Sequence, residues 1–369
     1  MTALYVGLMS GTSMDGIDAA LVDCFTRKPH LVATHSKPWS DSIRQQLVQT
    51  RQLDDEAVFG LQELDKAIAK HFAEATLELL TISGTDTHEI IAIGSHGQSI
   101  RHRPHADKPF SLQLGTGQHI ADLTGIQTVS DFRSADIKAG GEGAPLAPAF
   151  HNEVLRSRSE NRCVVNIGGI ANVTFLPGDE TARVTGYDTG PGNNLMDGWI
   201  TRHRSEPYDR NGEWARSGQV NHDLLTRLRA DDYFQLPSPK STGFEYFNHD
   251  WLKQHGVDAL PAEDVQATLA ELTAGTIVDA VQASGLTIDR VLVCGGGVHN
   301  TYGIEQLQSS LGNIPVESTG IHGVQPDWAE AMAFAWLAQR FIENKPGNLP
   351  SVTGARKAVV LGSLSRPDI

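Results

Sequence analysis

The chain has 369 residues, 40% of them hydrophobic, with 30 basic against 44 acidic side chains and a net charge of −14, enough material for one large domain or two ordinary ones. The acidic balance argues against nucleic acid as a partner, which needs positive faces, but it allows an anionic ligand held by backbone amides. Three scattered cysteines without a CxxC pair, no long apolar run and no basic leader argue against a disulfide framework, a zinc ribbon and a membrane partner, and give a cytoplasmic expectation.

In chain order, Leu4, Val6 and Leu8 alternate ahead of GTSMDG at 11–16, and Ile17, Leu21 and Val22 follow it, which predicts strand, glycine-rich turn, strand. Leu61, Leu64, Ile68, Phe72, Ala75 and Leu79 recur at steps of three and four and predict a helix over 56–80. IIAIGS at 90–95 reads as a short buried strand leading into His96-Gly97-Gln98, and the Gly/Pro-rich GGEGAPLAP at 140–148 reads as a crossing between halves. RCVVNIGGIANVTFLPG at 162–178 repeats the grammar of the first hairpin. GYDTGPGNN at 186–194 is a third glycine cluster, with Asp188 just past a strand, and VLVCGGGVHN at 291–300 is a buried strand running into three glycines. A last helix is expected over 326–343, opening at Pro326, with Phe334, Leu337, Ala338 and Phe341 on one face. Strands and helices in alternation give an α/β class, and the paired hairpins suggest two related halves.

Ser13 lies in GTSM, a string similar to the serine motif of subtilisin-like proteases. A serine nucleophile needs a histidine base and usually an orienting aspartate, and neither residue type precedes Ser13 as that family requires. GTSMDG is not a Walker A loop, because no Lys-Ser/Thr follows its glycine. Two glycine-tipped hairpins can instead present backbone amides to a phosphate chain. Asp188, flanked by glycines, reads as a general base, a metal carrier or a local Asx-turn residue. His96, His102 and His105 cluster without metal-ligand spacing, and Arg101, Arg103 and Arg133 could pair with a carboxylate or phosphate. Glu330 falls in the first turn of its helix, where the dipole favours an acid.

Read together, GLMSGTSMDGID at 7–18, SHGQSIRH at 95–102, SDFRSADIKAGGEGAPLAP at 130–148, VVNIGGIANVTFL at 164–176, GYDTGPGNNLMD at 186–197, VCGGGVHN at 293–300 and DWAEAMAFAWLA at 327–338 resemble the bacterial 1,6-anhydro-N-acetylmuramic acid kinases, of the actin, hexokinase and heat-shock ATPase superfamily. The resemblance covers nearly the whole chain. It implies two actin-like (ribonuclease H-like) α/β domains flanking an ATP/substrate cleft, one from 1–126 with 345–369 and the other from 127–344. It implies ATP and Mg²⁺ as cofactors, with Gly11, Thr12, Ser13, Met14, Asp15, Gly16, Ile17 and Asp18 as one phosphate-binding segment. Asn166, Gly168 and Gly169 belong to the second, and Gly295, Gly296 and Gly297 lie toward the adenosine. Asp188 becomes the catalytic base, and His96, Gln98, Arg133 and Glu330 become sugar contacts. Water then opens the anhydro bridge while O6 receives the γ-phosphoryl group, giving N-acetylmuramic acid 6-phosphate and ADP in cell-wall recycling. The family also suggests a homodimer. Many superfamily members carry an acid before the first glycine turn; here the first acids, Asp15 and Asp18, follow Gly11, so the metal ligands stay open.

Overall fold

The computed structural model describes residues 2–11, 14–50, 52–238 and 240–368. It divides into two compact units, the first made of Met1–Val154 with Trp328–Ile369 and the second of Leu155–Asp327. Each carries one mixed sheet.

In the first unit β1 (Leu4–Ser10), β2 (Gly16–Asp23) and β3 (His30–Pro38) form an antiparallel meander. β4 (Ile90–Arg103) runs parallel to β1, and β6 (Thr128–Ser130) runs parallel to β4, while β5 (Phe110–Leu114) folds back on the far end of β4. A short C-terminal strand, Ser363–Ser365, closes the edge beside β6. In the second unit β7 (Arg162–Ile167), β8 (Ile170–Leu176) and β9 (Thr185–Pro191) form the meander, β10 (Arg290–Cys294) runs parallel to β7, and β11 (Val316–Ser318) runs parallel to β10. Setting aside the added strands, both sheets share the order third-second-first-fourth-fifth. The repeated hairpin grammar therefore extends to a repeated α/β domain, as two actin-like domains require.

Several expected boundaries move. The helix expected over 56–80 is an α-helix from Gln62–Ser83, because Asp54 Oδ1 accepts the N–H groups of Glu56 and Ala57 and holds Ala57–Gly60 as a separate 3₁₀ turn. Its apolar stripe, Leu64, Ile68, Phe72, Ala75 and Leu79, packs into the first core as expected. The strand expected at 90–95 continues to Arg103, since β5 supplies it with hydrogen-bond partners. Pro326–Trp328 forms a 3₁₀ turn, and the α-helix proper is Ala329–Ile342.

That helix explains why the unit boundary falls at 327/328 and not at 344. It lies so close on the first sheet that a Cβ at Gly7 would sit 1.8 Å from the Ala331 carbonyl oxygen, and one at Gly94 would sit 2.0 Å from that of Phe334. Residues 127–154 also stay with the first unit, through β6 and through GGEGAPLAP, which folds back on its own unit and is no crossing. Among the described residues no helix is long and apolar enough to cross a membrane.

Candidate active site

In the first unit the hairpin turn between β1 and β2 is held from beneath. Gln98, fully buried in β4, places Oε1 2.7 Å from Ser10 Oγ and donates Nε2–H to the Gly11 carbonyl at 3.2 Å. Ser10 Oγ also lies 2.7 Å from the Gly16 carbonyl oxygen, so one side-chain pair fastens both ends of the turn. Gln98, expected to touch sugar, thus has its amide committed to the turn. Met14 takes a left-handed φ of 59° there, an uncommon conformation outside glycine that concentrates at functional turns. Met14 and Ile17 point into the core, which leaves only their backbones for a ligand. Asp15 is exposed, 3.6 Å from Arg44, and Asp18 Oδ1 accepts from Ser36 Oγ. Thr12 and Ser13 lie outside the described residues.

A second group in the same unit brings together three expected residues distant in sequence. Arg133 Nη2 lies 2.8 Å from His96 Nε2, and Nη1 donates to the Gly143 carbonyl at 2.7 Å. The buried His96 ring packs 4.8 Å from that of Phe334 on the Ala329–Ile342 helix. Burial and the Arg133 charge push the imidazole pKa down to about 3, so the ring is neutral and Nε2 accepts. Burial pulls Arg133 down to about 10, with Glu330 and Asp136 opposing, so it stays charged at neutral pH. Protein crowding around the Glu330 carboxyl pushes its pKa up even though its side chain keeps solvent access; Arg133 pulls it down and Asp18 pushes it up. The result is a guanidinium fixed beside a neutral imidazole, with the Glu330 carboxyl close enough to act on its charge, suited to a polar anionic ligand. Arg101 and Arg103 are spent on Asp55. His102 and His105 meet Ser111 and Glu142. Among the described residues no three His, Cys, Asp or Glu side chains group as a metal site would.

In the second unit Asp188 stands within β9 and not past a strand, opposite Asn172 and beside a register shift in β8. A segment that the sequence did not mark grips it. The Asp188 N–H donates to the Lys240 carbonyl at 3.0 Å, its own carbonyl accepts from Tyr233 Oη at 2.6 Å, and Oδ2 accepts the Thr242 N–H at 3.0 Å. Lys240 Nζ lies over the Tyr233 ring at 4.6 Å and donates to the Tyr233 carbonyl. Asp231 fixes the base of this segment by accepting from Tyr233 N, Tyr246 Oη and Trp251 Nε1. No periodicity or motif marks 231–248; the run of aromatics around KSTG is the only signal the sequence carries.

The glycines of this unit separate into two kinds. Gly295 (φ +79) and Gly297 are required by the fold, since their Cβ atoms would meet Asn166 Oδ1 at 2.4 Å and Ile167 Cγ2 at 2.3 Å. Asn166 therefore supports the Gly295 turn, with Cys294 Sγ 3.8 Å from its Oδ1. Gly168, Gly169 and Gly296 have ordinary φ, and nothing nearer than 3.5 Å would meet their side chains. The Gly168 and Gly169 carbonyls accept from Asn193, and from Gly192 and Asn194, fixing the turn from one side. Neither strain nor crowding explains these three glycines, and the open space beside each leaves room for close approach to the backbone.

Residues 3–367 match the family model described as anhydro-N-acetylmuramic acid kinase. The chain is similar to a protein of that name from Coxiella burnetii (46% identity over 361 residues; 98% of this chain and 96% of that one). It is also similar to one from Xylella fastidiosa (48% over 367 residues; 98% and 96%). A solved structure, the activator of the 2-hydroxyisocaproyl-CoA dehydratase from Clostridium difficile with bound ADPNP, aligns at 13% identity and a TM-score of 0.47, covering 91% of this chain and 93% of that one.

Proposed function

The chain belongs to the anhydro-N-acetylmuramic acid kinase family, ATP-using sugar kinases, and from that premise we propose how its own residues carry the reaction. The observation that carries the reading is the grip on Asp188, whose backbone and carboxylate are held by three separate hydrogen bonds from one segment. A general base needs that kind of fixed orientation.

An anhydro sugar has no free O6 hydroxyl to deprotonate. Asp188 takes a proton from water, and the water oxygen bonds to C1 as the C1–O6 bond breaks. O6 then accepts the γ-phosphoryl group, ADP leaves, and the proton passes from Asp188 to solvent. Arg133, His96 and Glu330 bind and orient the sugar. The backbones of Gly11 to Asp18, with Thr12 and Ser13, serve the phosphates in the first unit, with Gln98 assigned to holding that turn. Gly168, Gly169 and Gly296 serve the nucleotide in the second, where their missing side chains leave room for it, with Asn166, Gly295 and Gly297 shaping the backbone.

The lack of a three-ligand side-chain group among the described residues suits Mg²⁺ carried mainly by nucleotide phosphates and water, with Asp18 or Asp188 as carboxylate candidates. When bound, the ion neutralises charge on the transferring phosphoryl group. A cytoplasmic homodimer completes the reading.

Turnover in ¹⁸O-enriched water tests it. Label is expected at C1 of the product, with none in the phosphoryl group. Unlabelled sugar phosphate accompanying ADP would replace this mechanism by direct phosphorylation of a hydroxyl.

A further inference from the structure

Asp136 is a carboxylate with no accessible surface, placed within the short helix Ser134–Lys138 that follows Arg133. Buried carboxylates are costly unless each oxygen is hydrogen-bonded, and every contact of this one leads either to Arg133 or to the end of the chain. Its Oδ2 accepts the Gly143 N–H at 2.8 Å. The carbonyl of the same glycine accepts Arg133 Nη1 at 2.7 Å. Its Oδ1 accepts Asn348 Nδ2 at 2.6 Å and Thr353 Oγ1 at 2.8 Å, from a segment more than 200 residues downstream.

The surroundings are shaped to this arrangement. Gly143 has a left-handed φ of 71°, and a Cβ at Gly141 would lie 2.2 Å from Asp136 Oδ2. The loop is also clamped to the chain end by the Glu142 N–H on the Thr353 carbonyl at 2.7 Å and the Arg356 N–H on the Ala139 carbonyl at 3.0 Å.

We propose that Asp136 is a positioning residue that, anchored by Asn348 and Thr353 of the C-terminal segment, fixes the Arg133 guanidinium through the Gly143 backbone for binding the sugar. Gly143 makes these two bonds from the two peptide planes that meet at its Cα, and with both made Arg133 is set by His96 on one nitrogen and by this strap on the other. A guanidinium held in one rotamer binds an anion without losing side-chain entropy at that moment. The Asp136 charge also opposes the loss of the Arg133 proton on burial. Through these bonds the segment that carries Asn348 and Thr353 is linked to Arg133. The inference rests on the assignment of Arg133 as a sugar contact.

The test is a double-mutant cycle of Asp136→Asn and Arg133→Lys, reading KM separately for sugar and ATP. Asp136→Asn is expected to raise the sugar KM about tenfold, a coupling of about 1.4 kcal/mol, with the ATP KM unchanged and little further effect in the Arg133→Lys background. An unchanged sugar KM in Asp136→Asn, effects that add independently, or a parallel loss of both affinities overturns the positioning role. An unchanged sugar KM in Arg133→Lys removes the underlying assignment instead. Should Asp136→Asn fail to fold, Thr353→Val deletes one donor to Asp136 at nearly constant volume, and the same split between the two KM values decides.

Discussion

Arg133 Nη2 and His96 Nε2 lie 2.8 Å apart, a hydrogen bond that exists only while the imidazole is neutral. Because burial holds His96 at about pKa 3, the pair is intact throughout the physiological range. Replacing the acceptor in His96→Leu releases one side of the guanidinium. The expected outcome is a sugar KM raised by about fivefold to tenfold, the loss of one charge-assisted hydrogen bond's worth of orientation, with the ATP KM unaltered in steady-state assays.

The same burial makes acid the vulnerable side of the fold. His96, His102 and His151 have folded pKa values lowered to about 3, 4 and 4, with burial the main cause in each. Between those values and the ordinary value near 6.5, the unfolded chain binds protons that the folded chain does not. Stability is therefore full above about pH 6.5 and is lost as pH falls toward 4. Thermal unfolding followed from pH 7.5 to 4.5 should show Tm falling steadily with acid, and a shallower fall in His151→Asn.

Tyr233 offers a separate handle on Asp188. Its hydroxyl donates to the Asp188 backbone carbonyl at 2.6 Å, so Tyr233→Phe loosens the backbone that carries the proposed base and leaves the carboxylate itself in place. A stability loss of about 1 kcal/mol is expected on chemical denaturation, with kcat lowered by up to about tenfold and nucleotide affinity retained.

Glycines that the fold needs and glycines that it does not should answer alanine differently. Gly169→Ala and Gly296→Ala meet no clash, so the proteins are expected to be as stable as the parent or more stable by about 0.4–1 kcal/mol. Their ATP KM should nevertheless rise by about tenfold or more. Gly295→Ala, at φ +79 and 2.4 Å from Asn166 Oδ1, should lose stability outright. Isothermal titration with a non-hydrolysable ATP analogue, beside thermal melts, separates the two classes.

Much of the fold was legible because its signals are local. Strand alternation around GTSMDG and NIGGIAN carries both hairpins, and the three- and four-residue spacing from Leu64 to Leu79 carries a helix. Boundaries moved where tertiary partners intervened, as when β5 prolonged β4 beyond Ser95. In the site, His96, Arg133 and Glu330 could be named one by one, but not their grouping, since the histidine and arginine alone are 37 residues apart. Tyr233 and Thr242 reach Asp188 across 45 and 54 residues from a segment without periodicity. Asp136 had no mark at all, because one aspartate in a short polar helix looks like a solvated residue until its burial is known.

Sugar-dependent ADP release by Asp188→Asn decides whether Asp188 is the base. Asparagine keeps the side chain's shape and an oxygen to accept the Thr242 N–H but cannot take a proton from water. The expected result is turnover reduced to near background, with ATP bound as tightly as by the parent protein. Release of ADP at the parent rate in the presence of the anhydro sugar would take Asp188 out of the chemistry.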